Sequence, residues 1–310
     1  MLISVTNDLA TDQRVKKVCA SLYKMGYDVL LIGRKLPDSI PLDRPYPTIR
    51  MRLVFNKGAL FYAEYNIRLF LLLLFSKATV FHANDLDTLL ANFIASKLRG
   101  IPLVYDSHEY FTGVPEIQNK PLVKAIWLSI EKRIFPKLSF IFTVNESIAN
   151  LYKKEYNKDL RILRNIPEKV DLKIYKTRKE LGLPLNKAIV ITQGAGINID
   201  RGIEEALEAM QYLPHVCFLI IGNGDVVALL KEKTLELNLR NNVIFKGRMP
   251  YQEMMQYTRH AALGLTLDKD SNINYKFSLP NKLFDYIHAG IPILASKLIE
   301  VEYIINSYKI

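Results

Sequence analysis

A chain of 310 residues with 49% hydrophobic residues and no biased tract is ample for buried cores, and its length suggests two domains rather than one. The formal net charge of +11 is uneven: through Glu168 there are 24 basic and 16 acidic residues (+8), and after it 18 and 15 (+3). No aromatic residues interleave with basic strands as a nucleic-acid surface would require, so the excess points to an anionic membrane surface or a phosphorylated substrate.

The chain opens on Leu2–Thr6, a strand, without a basic, apolar leader, and the expected location is the cytoplasm, at most peripheral at the inner face of the membrane. The loop Asn7–Arg14 follows, then a helix from Asp12 to Met25 that places Val15, Val18, Cys19, Leu22 and Met25 on one face and stops at Gly26. Asp12 reads as the helix cap, and Arg14 is placed to leave the helix start. Strands are expected at Tyr27–Ile32, Thr79–Ala83, Leu103–Asp106 and Phe140–Val144, with a short last one at Arg161–Arg164. The run Leu69–Phe75 is too short to span a bilayer and reads as a core helix or as the apolar face of a membrane-docking one.

Charged, loosely patterned sequence with Pro167 and Pro184 marks a linker, and the domains are drawn as 1–168 and 169–310. A second strand series follows at Ala188–Thr192, Val216–Ile221, Val243–Phe245, Leu263–Leu267 and Pro292–Ala295. Strands alternating with helices predict α/β domains with parallel sheets, two Rossmann-like units facing across a cleft. Cys19 and Cys217 lie in apolar contexts without metal-ligand spacing and are expected as reduced core residues.

Six segments carry groups able to do chemistry. Tyr105-Asp106-Ser107-His108-Glu109 follows a strand, at the mouth of its sheet. His82-Ala83-Asn84-Asp85 ends another, and Asn84 or Asp85 there can cap a helix; Asp85-Leu86-Asp87 is an Asp-x-Asp pair that reads as helix-start acids rather than a metal site. Gly194, Gly196 and Arg201 lie in one βα loop, where glycines let a ligand approach the backbone and the guanidinium can grip a phosphate. Gly222 and Gly224 form another such turn, and Gly247-Arg248 a third. Finally Pro280 opens a helix whose free N–H groups at Asn281, Lys282 and Leu283 favour an anion, with the Lys282 charge beside them and Asp285 one turn on; Gly290 closes it.

The Pro280-Asn281-Lys282-Leu283-Phe284-Asp285-Tyr286 run followed by Ala289-Gly290-Ile291-Pro292 resembles the donor-site signature of the retaining GT-B glycosyltransferases of family four. The likeness extends from the first strand to Ala295 and implies a glycosyltransferase moving a hexose from a nucleotide-diphospho-sugar to a glycan or polyprenyl-linked acceptor, with retained configuration and no metal or other cofactor. It implies donor contacts from Gly194, Gly196, Arg201, Gly222, Gly224, Arg248, Asn281, Lys282 and Leu283, an acceptor side with Asp12, Arg14 and Glu109, and catalytic roles for His108 and Asp285. His108 is the hydrogen-bonding partner of the donor sugar in that reading. Two departures stand out: the first of the family's paired acids falls on Phe277, and an arginine common after the loop's first glycine is replaced by Ala195. Glu146 matches an acidic position of the family and can equally cap a helix. Relative to the resembling family the chain is expected to stop short at its C-terminus. A nucleotide-sugar epimerase on the same plan, and a truncated nucleotide-binding product without transferase activity, are the alternative readings.

Overall fold

The computed structural model describes residues 1–310 apart from 11, 38, 168–175, 195 and 310, and the side chain of residue 116. Two compact units emerge, Met1–Asn165 and Ile166–Ile310. The junction expected after Glu168 lies outside the described residues.

In the first unit the order is β1 (Leu2–Asp8), α1 (Gln13–Lys24), β2 (Leu30–Arg34), β3 (Thr48–Met51), α2 (Gly58–Phe75), β4 (Phe81–Asn84) and α3 (Leu86–Arg99). It continues with β5 (Leu103–Ser107), α4 (Pro115–Gln118), α5 (Pro121–Ile134), β6 (Phe140–Thr143), α6 (Glu146–Tyr156) and β7 (Arg161–Ile162). The sheet is parallel throughout, in the order β3-β2-β1-β4-β5-β6-β7. The order reverses direction at β1 and β4, and the ends of β1, β4 and β5 therefore converge where a doubly wound sheet takes its ligands. Ile3, Val5 and Leu31 of the sheet and Val15 and Cys19 of α1 form one core cluster with Leu22 packed against it, whereas Met25, expected on the same face, lies past the helix end and is 71% exposed.

The second unit runs β8 (Ala188–Gly194), α7 (Ile203–Ala209), β9 (Val216–Gly222), α8 (Val227–Glu236), β10 (Val243–Lys246), α9 (Tyr251–Thr258) and β11 (Leu263–Thr266). It ends with α10 (Ile273–Lys276), α11 (Asn281–Ala289), β12 (Ile293–Ala295) and α12 (Ile299–Tyr308). Its parallel sheet, β10-β9-β8-β11-β12, switches at β8 and β11. Hydrophobic clusters cover both faces: Ile203, Leu207, Phe218 and Leu230 on one, Ile189, Leu219, Tyr257 and Tyr286 on the other. Helix α11 lies close on the sheet because β11 offers Gly264; a Cβ there would sit 2.5 Å from the Tyr286 ring.

Two expectations from the sequence need correction. Strand β3 was not foreseen, and β2 starts at Leu30 rather than Tyr27. Cys19 and Cys217 are both buried and unpaired, and burial pushes the Cys19 thiol up to about 12.

Candidate functional site

In the second unit the glycine turns divide into two kinds. A Cβ on Gly194 or Gly196 would meet nothing within 4 Å, and Gly194 has φ of +132°, so this loop keeps an open backbone face. Gly222 and Gly224 are different: a Cβ on either would lie 1.8 Å from the Gly194 carbonyl oxygen or 2.0 Å from that of Ile197. Those two glycines therefore let the β9–α8 turn zip onto the β8–α7 loop, through Ile197 N–H to the Asn223 carbonyl at 3.1 Å and Val226 N–H to Ile197 at 3.3 Å. Their first task is to hold the neighbouring loop. Asp225 reinforces the seam by accepting from Ile199 N–H at 3.2 Å.

Arg201 projects from this loop. Its guanidinium donates to Asp268 at 2.8 Å and lies 4.1 Å over the Tyr275 ring, while its buried Nε has no partner among the described residues. Asp268 is wholly buried just past β11 and was not singled out from the sequence, because nothing local marks an acid whose partner is 67 residues away. Burial works against the Arg201 charge, but Asp268 raises its pKa overall.

Helix α11 begins one residue later than expected. Pro280 is the cap residue and Asn281 the first helical one. Leu283 N–H bonds the Pro280 carbonyl at 3.1 Å and the Leu283 side chain is fully buried, so of the three predicted anion-facing amides Leu283 is removed. Asn281 is exposed and Lys282 half-buried, and the Lys282 ammonium has no hydrogen bond or ion pair among the described residues. Burial lowers its pKa, with Asp268 opposing and Arg201 adding to the fall. An ammonium in that state gains from an anion, and the helix start supplies the remaining field.

Asp285 turns inward. Its carboxylate accepts from Gln193 Nε2 at 3.1 Å and Tyr251 Oη at 3.0 Å, and Gln193 in turn accepts from Thr258 at 2.6 Å. This buried network ties α11 to β8 and α9, so Asp285 sets where Lys282 stands. Phe277, at the position of the absent acid, ends α10. Arg248 is exposed beyond β10.

The first unit gathers charge at the ends of β4 and β5. His108 Nδ1 pairs with Asp85 Oδ2 at 3.0 Å, its Nε2 meets Asn84 Oδ1 at 3.1 Å, and its own N–H donates to Asp85 Oδ1 at 2.8 Å. Burial opposes a charge on the ring, yet Asp85 and Asp106 raise the His108 pKa well above its ordinary value. The two carboxylates favour the charged form of the ring, and both of its nitrogens already have partners. For the hydrogen bond to a donor sugar expected of His108, Asn84 must first yield its contact with Nε2.

Asp85 is the group that reasoning from sequence underrated. It stands at the start of α3 but makes no side-chain cap; its carboxylate is committed to His108. Its backbone, at φ 58° and ψ 166°, occupies a region nearly confined to glycine, which costs about 1–3 kcal/mol and is characteristic of functional sites. Asp87 goes elsewhere, accepting from Thr6, and burial together with the Asp85 charge raises it to about 7. The Asp-x-Asp carboxylates thus do not converge.

Arg14 is buried and makes a bidentate pair with Asp106, Nε at 3.1 Å and Nη2 at 2.6 Å, with Nη1 on the Leu163 carbonyl at 2.7 Å. Burial would raise the Asp106 pKa, but His108 and Arg14 carry it well below the usual carboxylate range. Arg14 therefore acts through Asp106, which lies 3.6 Å from His108 Nε2, instead of reaching out to an acceptor. Asp12 caps α1, taking Val15 N–H at 2.9 Å, and its other oxygen takes Asn7 at 2.9 Å. Glu109 is exposed at the same edge. At the start of α6 the cap is Asn145, which accepts from Ile148 N–H, and not Glu146.

Comparison with known proteins identifies the family and the fold. Residues 12–173 match the family described as Glycosyltransferase Family 4, and residues 173–309 match Glycosyl transferases group 1. A curated relative, 2-deoxystreptamine glucosyltransferase of Streptomyces kanamyceticus, is 25% identical over 189 residues, 55% of this chain; the match spans about half (48%) of the relative's length. Among solved structures, sucrose-phosphate synthase from Thermosynechococcus elongatus aligns with a TM-score of 0.74 at 17% identity, over 97% of this chain and 82% of that one. HepE of Anabaena in complex with UDP and glucose gives 0.67 at 16%, over 96% and 80%, and WaaG, a glycosyltransferase involved in lipopolysaccharide biosynthesis, 0.69 at 13%, over 99% and 84%. At such identities the structural likeness speaks for the GT-B fold alone.

Proposed function

The chain belongs to the Glycosyltransferase Family 4 and Glycosyl transferases group 1 families, and from that premise we propose that it transfers a sugar from a nucleotide-diphospho-sugar to a glycan or lipid-linked hydroxyl acceptor. The observation that carries the reading is the pairing, in one unit, of an open glycine loop with two cations: Arg201, and a Lys282 whose ammonium makes no hydrogen bond or direct ion pair among the described residues.

Cleavage of the donor's glycosidic C–O bond leaves a nucleoside diphosphate carrying an additional negative charge. In this reading Lys282, Arg201 and the amides at the start of α11 stabilise that charge as it develops, which is the largest lever most active sites have. The protein's own cations serve where a metal ion otherwise would. Asp285 fixes α11 through Gln193 and Tyr251, a positioning role. His108, held positive by Asp85, sets the field at the acceptor-side edge of the first unit. Retention of configuration, by front-face transfer within an ion pair, is the stereochemistry we assign. None of the relatives named above is an epimerase.

The test is release of nucleoside diphosphate from a panel of nucleotide-sugars, with and without lipid-linked and soluble glycan acceptors and with and without chelator. Acceptor-stimulated, chelator-insensitive release from one donor fits the proposal. Conversion of the donor sugar without acceptor, or a rate abolished by chelator, contradicts it.

A further inference from the structure

The outer helical layer of the first unit is unlike the rest of the surface. Helices α2 and α3 pack side by side, and α3 continues against α5. On α2, the side chains of Phe61, Tyr65, Leu69 and Leu73 recur every fourth residue and are buried on the sheet side. The opposite side of α2 is also apolar: Ile67 is 62% exposed, Leu71 49% and Phe75 79%. The stripe continues on the neighbouring helix at helical spacing, with Leu90 37%, Ile94 42% and Leu98 66% exposed. Single exposed hydrophobic residues are ordinary, but six in two parallel rows on adjacent helices form a contiguous patch of the kind that marks an interaction surface.

The charges around the patch have one sign. Every exposed charged residue within α2, α3 and α5 is basic: Arg68, Lys97, Lys132 and Arg133. Acids do occur on these helices, but none is left exposed. Asp87 and Glu131 are buried, and Glu64 is turned back onto Arg68 and the N–H groups of Val54 and Phe55. Lys57 and Lys77, just before and just after α2, are exposed as well.

We propose that this face docks the protein on an anionic lipid bilayer, α2 and α3 lying in the plane of the interface with their outer apolar rows among the acyl chains. The composition fits that occupant. Apolar side chains contribute by burial, while lysine and arginine at the rim reach the lipid phosphates, their aliphatic stems lying along the apolar surface. A second copy of the chain fits poorly, since a two-fold interface would set the same cations against one another. Spanning is a different arrangement, and the structure argues for a helix that lies on the bilayer. Although α2 has 18 residues at a mean hydropathy of 1.4, its inner row is committed to the core, and Tyr65 donates to the Val5 carbonyl of β1 at 2.6 Å. Docking needs neither donor nor acceptor and so stands or falls apart from the transferase reading.

Co-sedimentation of the full chain with vesicles tests it. Wild-type protein is expected to pellet with vesicles of equal parts phosphatidylcholine and phosphatidylglycerol, much less with phosphatidylcholine alone, and to be released by high salt. Ile67→Glu/Phe75→Glu should abolish pelleting, and Lys97→Ala should weaken it roughly fivefold, the contribution of one cation near a charged surface. These positions are exposed, so an unchanged melting temperature and unchanged donor binding check that the fold survives. Failure of wild type to pellet with anionic vesicles overturns the proposal, as does pelleting indifferent to the double substitution. A concentration-dependent dimer that Phe75→Glu dissociates overturns it in favour of a second copy.

Discussion

Replacing Arg201 by alanine removes two things at once, and the structure lets them be separated. Asp268 is wholly buried and its charge partner at 2.8 Å is Arg201. Deleting one member of a buried ion pair typically costs about 3–5 kcal/mol, because the survivor is left charged and desolvated. Lys282 is near enough to feel the Asp268 charge, which places the cost at the lower end, about 3 kcal/mol. For a unit of this size that corresponds to a fall of roughly 6–12 °C in its melting temperature. Arg201→Ala/Asp268→Asn should recover most of this loss, since the stranded carboxylate is gone. The recovery should not extend to ligand: both variants should bind a nucleoside diphosphate much more weakly than wild type, while binding the nucleoside alike. Calorimetry that resolves the two units' transitions, with titration of each ligand, reads both effects. An Arg201→Ala protein that melts as wild type does would refute the buried-pair argument. A double variant with full stability and full diphosphate affinity would refute the phosphate role of Arg201.

Asp85→Asn should move the His108 titration back down toward the ordinary histidine range, observable by NMR of the ring. Because the folded pKa of His108 is raised, its contribution to stability is complete below the unfolded value and is lost as pH rises through the folded one; in the variant that pH dependence should shrink, and an unmoved titration would contradict the pairing. Asp87 is raised by burial from 3.8 to about 7, so the first unit should lose stability as pH climbs from about 4 to 7, by at most about 4 kcal/mol. Asp87→Asn should flatten that slope in denaturant melts taken across the range; an unchanged slope would count against a neutral buried acid. Gly222→Ala forces a Cβ to 1.8 Å from the Gly194 carbonyl at a φ of +133°, and should cost about 3 kcal/mol and loosen the Gly194–Arg201 loop. Nucleotide affinity should fall with it, whereas Gly196→Ala, which meets nothing within 4 Å, should leave stability nearly unaltered.

What could be read from the sequence was what is local. Strand–helix alternation located the β-strands of both units apart from β3, and the apolar stripe of α1 named Val15 and Cys19 of its buried face but wrongly added Met25, which is exposed past the helix end. Strand β3, Thr48-Ile49-Arg50-Met51, escaped because it is a short edge strand behind Pro45 and Pro47 with a charge in its middle, stabilised by pairing with β2. The same division runs through the site. Helix caps and glycine turns announce themselves within a few residues, so the Gly194 loop and the start of α11 were legible. Partners far apart in the chain were not: Arg14 finds Asp106 across 92 positions, Gln193 finds Asp285 across 92, and Arg201 finds Asp268 across 67. Asp85 shows the limit most clearly. An Asp before a helix reads as a cap, and only the fold reveals that its carboxylate is spent on His108 and its backbone held in a strained conformation.

The central claim is that the second unit seats a diphosphate between Arg201 and Lys282, and isothermal titration of UDP, GDP and ADP, each against its nucleoside, tests it most directly. The account predicts that one diphosphate binds far more tightly than its nucleoside, and that Lys282→Ala erases the difference while leaving nucleoside binding intact. Equal affinity for the nucleoside and its diphosphate, or a difference that survives Lys282→Ala unchanged, would contradict it.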